Sequence, residues 1–430
     1  MTPDPRREPA AFLRALFARA VEAADPMRFV PAHLPARPEG RVLVVGAGKA
    51  SARMAEAVEA AWGPCEGLVV TRYGHGRPLR GIEVAEAAHP VPDRAGEAAT
   101  ARMLGLLRGL SPDDLVLALI SGGASALLVR PAEGVGLADK QAVNAALLAS
   151  GAPISDMNVV RKHLSRVKGG QLATAAYPAR VLALAVSDVP GDDPAVIGSG
   201  PTVAERSLPG EALAILARWG VEPPVSVVAA LRRGSSVVPP GDPRLARCET
   251  RVVAAPAQSL AAAAALARDG GCEALVGSDR LEGEAREVAA RLAAEARALR
   301  AARPPGAPPL VLLTGGELTV TRRGGGVGGP NAEFALALAL ALDGAPGIHA
   351  LACDSDGIDG AAEVAGAVVG PDTLARARAL GLDCGPMSGF DAEAVSAAFF
   401  ADEPRHRVNF ICSVGYGDPA SIFDRSPRPD

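Results

Sequence analysis

Short, almost wholly apolar runs alternate along this chain with stretches whose apolar positions recur at helical spacing. The runs at 41–45, 67–71, 115–120 and 181–186 are rich in Val, Leu or Ile, and each leads into a loop containing Gly, Ser or Asp. That alternation predicts βα units around a mainly parallel sheet, with functional loops at the strand carboxyl ends. A helix is predicted over 10–24, followed by a proline-rich connector over 31–38. Breaks at Gly220-Val-Glu-Pro-Pro and Val238-Pro-Pro-Gly-Asp-Pro read as a hinge between domains. Beyond them a second α/β set is predicted: strand 251–254, helix 282–302, strand 310–313, a glycine loop over 324–329, helix 331–342 and strand 348–352. The domains are accordingly expected at 1–237 and 245–430. No 20–50-residue period repeats, which argues against a solenoid.

Length agrees with two domains, because single cores usually stop growing at roughly 250–300 residues and this chain has 430. Charged residues make up 21% and hydrophobic ones 49%, a balance suited to a soluble globular enzyme. A net charge of −4 gives no global attraction to nucleic acid or acidic membranes, so any anion site must be local. Six scattered cysteines without a C-x-x-C pair indicate neither a disulfide framework nor a zinc knuckle, and favour a reduced, cytoplasmic setting. The N-terminus lacks the apolar core of a signal peptide, and no apolar run approaches the ~20 residues that span a bilayer. Aromatics at 3% leave little for base stacking. Nucleic acid and membrane are therefore not expected partners, and a homodimer is left open.

Candidate chemistry concentrates at element ends. Gly46-Ala-Gly48-Lys49-Ala-Ser51 reads as strand, tight turn and helix start, where small residues and free N–H groups suit an anion. It lacks Walker A spacing. It is also a poor dinucleotide fingerprint, because Ser51 replaces the third glycine and the next strand ends in Thr71-Arg72 rather than an acid. Ser121-Gly122-Gly123-Ala-Ser125 repeats the arrangement and predicts phosphate or carboxylate binding; without a G-x-S-x-G elbow, a nucleophilic serine is the weaker reading. From Asn158 to Gly170 a basic run, read as helical, places Arg161, Ser165 and Lys168 on one face with Lys162 and Arg166 beside it. A solvated face is the plain alternative, but the run contains no acid and ends in two glycines. Ser187-Asp188-Val-Pro-Gly-Asp192-Asp193 follows a buried strand with three carboxylates, a set able to hold Mg²⁺ directly or through water. In the second half, Asn331 reads as an N-cap, and Asp354-x-Asp356-Gly lacks the remaining ligands of an EF-hand. His75, His89 and His163 have no metal-ligand spacing and read as structural or surface residues.

These segments, with Leu281-Glu282-Gly-Glu284-Ala-Arg286, Gly315-Gly316-Glu317 and Asp354-x-Asp356-Gly-Ile-Asp359-Gly, occur in an order that resembles the type-2 glycerate kinase (MOFRL) family. The resemblance spans roughly 10–380. It implies an α/β protein with a Rossmann-like first domain, a smaller mixed second domain and an active site in the cleft. The implied reaction is ATP- and Mg²⁺-dependent phosphorylation of D-glycerate at its 2-hydroxyl. On that basis Lys49, Arg161 and Asp188 are expected to be catalytic, and Gly46, Gly48, Ser121, Gly122, Gly123, Ser125 and Glu317 to bind the nucleotide or its phosphates. Arg161, Lys162 and Lys168 are expected to bind substrate, and Asp188 and Asp192 to bind the metal. Alternatives are a hydroxypyruvate reductase, a name given to some members, and a catalytically impaired sugar-acid-binding homologue. Two departures stand out. Val327 and Pro330 occupy a glycine loop where members often carry arginine, which leaves Arg322 or Arg323 for that role; and the chain after about 383 lacks the usual closing motifs.

Overall fold

The computed structural model describes residues 2–189, 191–321, 328–360, 364–379, 382–386 and 412–414. In chain order its elements begin with α1 (Pro9–Ala23), α2 (Pro26–His33), β1 (Val42–Ala47), α3 (Ser51–Trp62), β2 (Glu66–Arg72), β3 (Ile82–Ala87), α4 (Arg94–Leu106), β4 (Leu115–Ile120) and α5 (Ala124–Leu127). Next come α6 (Leu137–Ala149), α7 (Ile154–His163), α8 (Gln171–Ala175), β5 (Arg180–Val186), α9 (Pro209–Arg218), α10 (Val225–Arg233) and β6 (Cys248–Ala254). The remainder are α11 (Pro256–Asp269), β7 (Glu273–Val276), α12 (Ala285–Ala302), β8 (Leu310–Leu313), α13 (Pro330–Leu342), β9 (Ala350–Cys353), β10 (Gly366–Val369), α14 (Thr373–Ala379), β11 (Leu382–Pro386) and β12 (Cys412–Val414).

Two compact units divide the chain. One runs from Glu22 to Gln258; the other joins the first 21 residues to those from Ser259 onward. The division falls in the first turn of α11 rather than at the proline-rich breaks near 220 and 238, both of which lie inside the first unit. The opening helix also sorts unexpectedly. Phe12 and Leu16 of α1 are buried with Ala263, Ala267, Cys272 and Val311, so α1 packs with the C-terminal unit.

The Glu22–Gln258 unit is built on a six-stranded, wholly parallel sheet in the order β3-β2-β1-β4-β5-β6. Its central strands are apolar throughout because both faces are covered. Leu43, Val45, Val116, Ala118 and Ile120 enter one core; Val42, Val44, Leu115, Leu117 and Leu119 enter the other. β3 was not expected as a strand. It is the edge strand, and Glu83, which is exposed, and Glu86, on the opposite face, break its apolar run. The run near 251–254 is a strand as expected, but β6 pairs with β5 in this sheet instead of opening the second unit. A third core, including Val143, Leu147, Val160, Leu216 and Leu231, ties α6 and α7 to α9 and α10.

The other unit carries smaller sheets: β7 and β8 pair in parallel, β9 with β10 antiparallel, and β11 with β12 antiparallel. Ala289, Ala293, Leu338, Leu342 and Val369 form its core. Among the described residues no helix is long and apolar enough to cross a membrane.

Strand order reverses between β1 and β4, and such switch points leave a crevice at the strand carboxyl ends where ligands bind. The two strands approach closely there because Gly46 has no side chain: a Cβ on it would lie 2.2 Å from the Leu119 carbonyl oxygen. Gly46→Ala is expected to destabilise this unit by roughly 1–3 kcal/mol, the usual cost of overpacking. Denaturant unfolding followed by far-UV circular dichroism measures it, and an unchanged midpoint would refute the close-approach role.

Candidate functional site

The loops after β1 and β4 are clasped together at that switch point. The Lys49 N–H donates to the Gly122 carbonyl at 2.8 Å, the Ala50 N–H to Ser121 Oγ at 3.1 Å, and the Ser121 N–H back to the Ala47 carbonyl at 3.1 Å. The Gly48 N–H donates to the Val70 carbonyl at 3.0 Å, and a Cβ at Gly48, whose φ is +133°, would lie 2.1 Å from Ser121 Oγ. This corrects the first-turn expectation. The amides from Gly48 to Ala50 already serve protein acceptors, so Gly46 and Gly48 are small to let two loops touch, not to expose a phosphate cradle.

The open donors belong to the second loop. Among the described residues no protein acceptor takes the N–H of Gly122 or Gly123, and Gly123 has the left-handed φ of +82° that favours glycine. A Cβ on Gly122 would lie 2.2 Å from Asp188 Oδ2; one on Gly123 would lie 3.0 Å from His89 Cδ2 and 3.4 Å from Lys49 Cγ. Lys49, Asp188, His89 and the two glycines therefore converge on one spot. Asp188 follows β5 and is open to solvent, yet protein walls it closely. That confinement raises its carboxyl above the ordinary range, and the Lys49 charge pulls in the opposite direction. Ser125 meets Ser199 Oγ at 2.9 Å; Ser199 is fully buried and itself holds a left-handed φ of +64°.

Beside this spot a cavity of about 170 Å³ runs between the Gly123–Ala126 loop and helices α6 and α7. Its polar lining comprises His89, Ser125, Lys140, Asn144 and Arg161, and its apolar wall includes Val143, Leu147, Val160 and Leu164. Arg161 Nε donates to Asn144 Oδ1 at 2.7 Å, and burial lowers the guanidinium pKa. Lys140 Nζ donates to the carbonyls of Arg161 at 3.3 Å and Leu164 at 3.1 Å.

The rest of the basic run is disposed differently from its sequence pattern. α7 ends at His163, so the expected helical face of Arg161, Ser165 and Lys168 does not form. Ser165 bridges to Pro131. Lys168 is wholly buried and donates to the Leu128 carbonyl at 3.2 Å, which places it in the interior and not in the lining of the cavity. Lys162 forms a buried ion pair with Glu205, leaving Arg161 as the member of the run that borders the cavity.

Of the expected metal carboxylates, Asp188 stands at the convergence. Asp192 has a left-handed φ of +54° and its N–H donates to the Val189 carbonyl at 3.2 Å. Asp193 is spent on turn formation, with Oδ1 accepting from the Ala195 N–H at 2.9 Å. No three His, Cys, Asp or Glu side chains cluster as a metal site among the described residues.

Glu317 belongs to the other unit, where it is exposed. Helix α13 is capped from a distance. Buried Asp359 accepts from the Asn331 N–H at 2.9 Å and the Ala332 N–H at 2.7 Å, so the cap is Asp359 rather than Asn331. Arg322 and Arg323 lie outside the described residues, as does most of the chain after 383. Sequence reading passed over Lys140 and Asn144, whose signal was an i, i+4 pair on one helix face, and it took His89 for a structural or surface residue.

Fold and site together define a doubly wound α/β enzyme with a small, cation-lined cavity beside a solvent-open carboxylate and a half-buried lysine. Two sequence families match: a domain of unknown function (DUF4147) over residues 12–232, and the MOFRL family over 310–401. A protein of Agrobacterium vitis named "Putative hydroxypyruvate reductase" is 53% identical over 86% of this chain and 85% of its own. The D-glycerate 2-kinase of Thermotoga maritima is 38% identical over 85% of this chain and 87% of its own. The crystal structure of a glycerate kinase from the same organism superposes with a TM-score of 0.75, at 37% identity, covering 85% of this chain and 88% of that one. The chain belongs to the type-2 glycerate kinase (MOFRL) family, which includes the glycerate kinases just named.

The Lys162–Glu205 pair gives a stability prediction. Burial opposes the Glu205 charge, yet Lys162 and the Ser207 N–H outweigh it and hold the carboxyl below its ordinary range. Glu205→Gln leaves Lys162 charged without a counter-ion and is expected to cost on the order of 3 kcal/mol at pH 7. Because the folded pKa is depressed, the wild-type advantage is complete above the unfolded value of about 4.3 and shrinks as pH falls below it. Parallel denaturation curves at pH 7 and pH 4 test both statements, and an advantage that is constant with pH would count against the pair.

Proposed function

We propose that this protein transfers the γ-phosphoryl group of ATP to the 2-hydroxyl of D-glycerate, giving 2-phosphoglycerate and ADP. The observation that carries the reading is the meeting of Lys49, Asp188 and the unclaimed Gly122 and Gly123 amides at the sheet's switch point. Phosphoryl transfer asks a protein mainly to position reactants and neutralise charge. Lys49 supplies the cation for the oxygens of the transferring group, and the two amides supply donors that need no reorganisation during the reaction. Arg161, held by Asn144, presents its remaining N–H groups to the substrate carboxylate.

The donor set suits Mg²⁺, which commonly takes one or two carboxylates and completes its octahedron with phosphates and water. Asp188 would hold it, with Asp192 available from the same loop. Such an ion would screen the nucleotide phosphates. In this scheme Asp188 is also the group assigned to take the proton of the reacting hydroxyl.

A second reading follows from the Agrobacterium relative's name: NAD(P)H-dependent reduction of hydroxypyruvate. One pair of assays separates the two. ADP release dependent on D-glycerate, with 2-phosphoglycerate as the product in ³¹P NMR, supports the kinase; NADH or NADPH oxidation with hydroxypyruvate and no ADP release would replace it with the reductase.

Two substitutions test the roles. Lys49→Ala is expected to lower kcat by about 10²–10³-fold with the circular dichroism spectrum unchanged, as for loss of one transition-state donor. Near-normal turnover would remove Lys49 from the mechanism. Arg161→Ala is expected to raise KM for glycerate roughly 10- to 100-fold, the worth of a charged hydrogen bond. A KM effect confined to ATP would transfer Arg161 to the nucleotide side.

A further inference from the structure

We propose that Lys140 and Asn144 complete an acid-recognition pocket in which Lys140 binds a small hydroxycarboxylate jointly with Arg161, so that binding of the acid takes up a proton. The inference rests on the kinase reading for the identity of the acid, but not for the existence of the pocket.

Size comes first. Pockets for drug-sized ligands usually occupy roughly 300–1,000 Å³, whereas this cavity has about 170 Å³. A nucleotide does not fit inside it; a three-carbon acid does. The apolar wall from Val143 to Leu164 suits a short carbon skeleton, and Ser125 and His89 at the Gly123 end offer hydrogen-bond partners to hydroxyl groups. Since Lys49 Cγ approaches the same glycine, that end adjoins the proposed phosphoryl site.

Charge comes second. Lys140, Arg161 and Lys168 are gathered in one interior region, and among the described residues no carboxylate pairs with any of them. The local acid, Glu205, is taken by Lys162. On its own helix Lys140 has Asp139 as a neighbour, which is turned to Ser226 Oγ at 2.7 Å and to the Gly136 N–H. α7 contributes Arg161 and its carbonyl, the following segment contributes the Leu164 carbonyl and Lys168, and His89 lies across the cavity. Burial and the Arg161 charge bring the Lys140 ammonium down to about 7. An arriving carboxylate counters the Arg161 charge and pairs with the ammonium directly, which offsets the burial and favours the protonated form. Lys168 is wholly buried and is not part of the cavity lining, so it does not substitute for Lys140.

The sign is then fixed. Below pH 7 the free pocket already carries the Lys140 proton and affinity is flat. Above pH 7 the proton must be acquired on binding, so the dissociation constant for the acid rises by up to about tenfold per pH unit. The same pair of groups makes Asn144 a positioning residue, since Asn144→Asp would give Arg161 an internal carboxylate partner of equal size and close the pocket to anions.

The test is isothermal titration of D-glycerate into full-length protein without nucleotide, at pH 6.5 to 8.5, in buffers of differing ionisation enthalpy. Wild type is expected to show proton uptake at pH 8 and affinity about fivefold weaker there than at pH 7. Lys140→Met is expected to abolish the uptake and weaken binding at pH 6.5 by 10- to 100-fold; Asn144→Asp, an isosteric change, is expected to weaken it at least as much. Wild-type binding that is independent of pH, or absent, overturns the inference whether or not the enzyme turns over glycerate. Unaltered binding in both variants overturns it too. Failure of ADP release in the kinase assay, with pH-dependent acid binding intact, overturns the kinase reading alone.

Discussion

Everything at the site depends on the clasp between the β1 and β4 loops. Parallel strands that diverge at a switch point leave their following loops free to splay apart, and a splayed crevice holds nothing in place. Here the Lys49 and Ala50 amides are tied to Gly122 and Ser121, and the reciprocal Ser121 amide is tied to Ala47. Three hydrogen bonds across the opening join the two loops into one lip. Lys49 is thereby held on the same side of the crevice as Asp188 and Gly123, and the glycines at 46, 48 and 122 are required by the closeness of the approach.

The clasp has an electrostatic consequence. With the first loop's amides committed, positive character at the site must come from side chains and from the second loop. The chain provides it as Lys49 on one flank and Arg161 with Lys140 on the other. Buried cations without acids disfavour an empty pocket, because each charge is held away from water with no counter-ion. A pocket of that kind is poorly satisfied until an anion enters. The interior acid that could have quenched it, Glu205, is paired with Lys162, which keeps Arg161 available.

The parallel sheet was legible because its central strands are buried on both faces and read as unbroken apolar runs; β4 coincides with its expected bounds. The edge strand β3 was hidden by its glutamates, and β6 was assigned to the wrong sheet because a long helical excursion of α9 and α10 separates it from β5. Glycine-rich loops announced the site, but not which amides stay open, since that depends on a partner loop more than seventy residues away. The basic run shows the same limit. Local spacing suggested one cationic face, whereas the chain turns out of the helix at Leu164 and sends Lys162, Lys168 and Arg161 to three different environments.

The strand order β3-β2-β1-β4-β5-β6 is that of dinucleotide-binding sheets, so topology by itself does not choose between kinase and reductase. The loops do. A dinucleotide site places its pyrophosphate on the amides of the first βα turn and its ribose hydroxyl on an acid at the end of the second strand. In this chain the first turn donates Gly48 to Val70, Lys49 to Gly122 and Ala50 to Ser121, and β2 ends in Thr71 and Arg72. Thr71 Oγ1 is itself bonded to the Lys49 carbonyl, drawing the β2 end into the clasp. The two positions a nicotinamide dinucleotide would need are thus committed to holding the lip together, while the unclaimed donors sit one loop further on, beside Asp188. That displacement of the open amides from the first loop to the second is what separates this sheet's loops from the dinucleotide-binding arrangement whose strand order it shares.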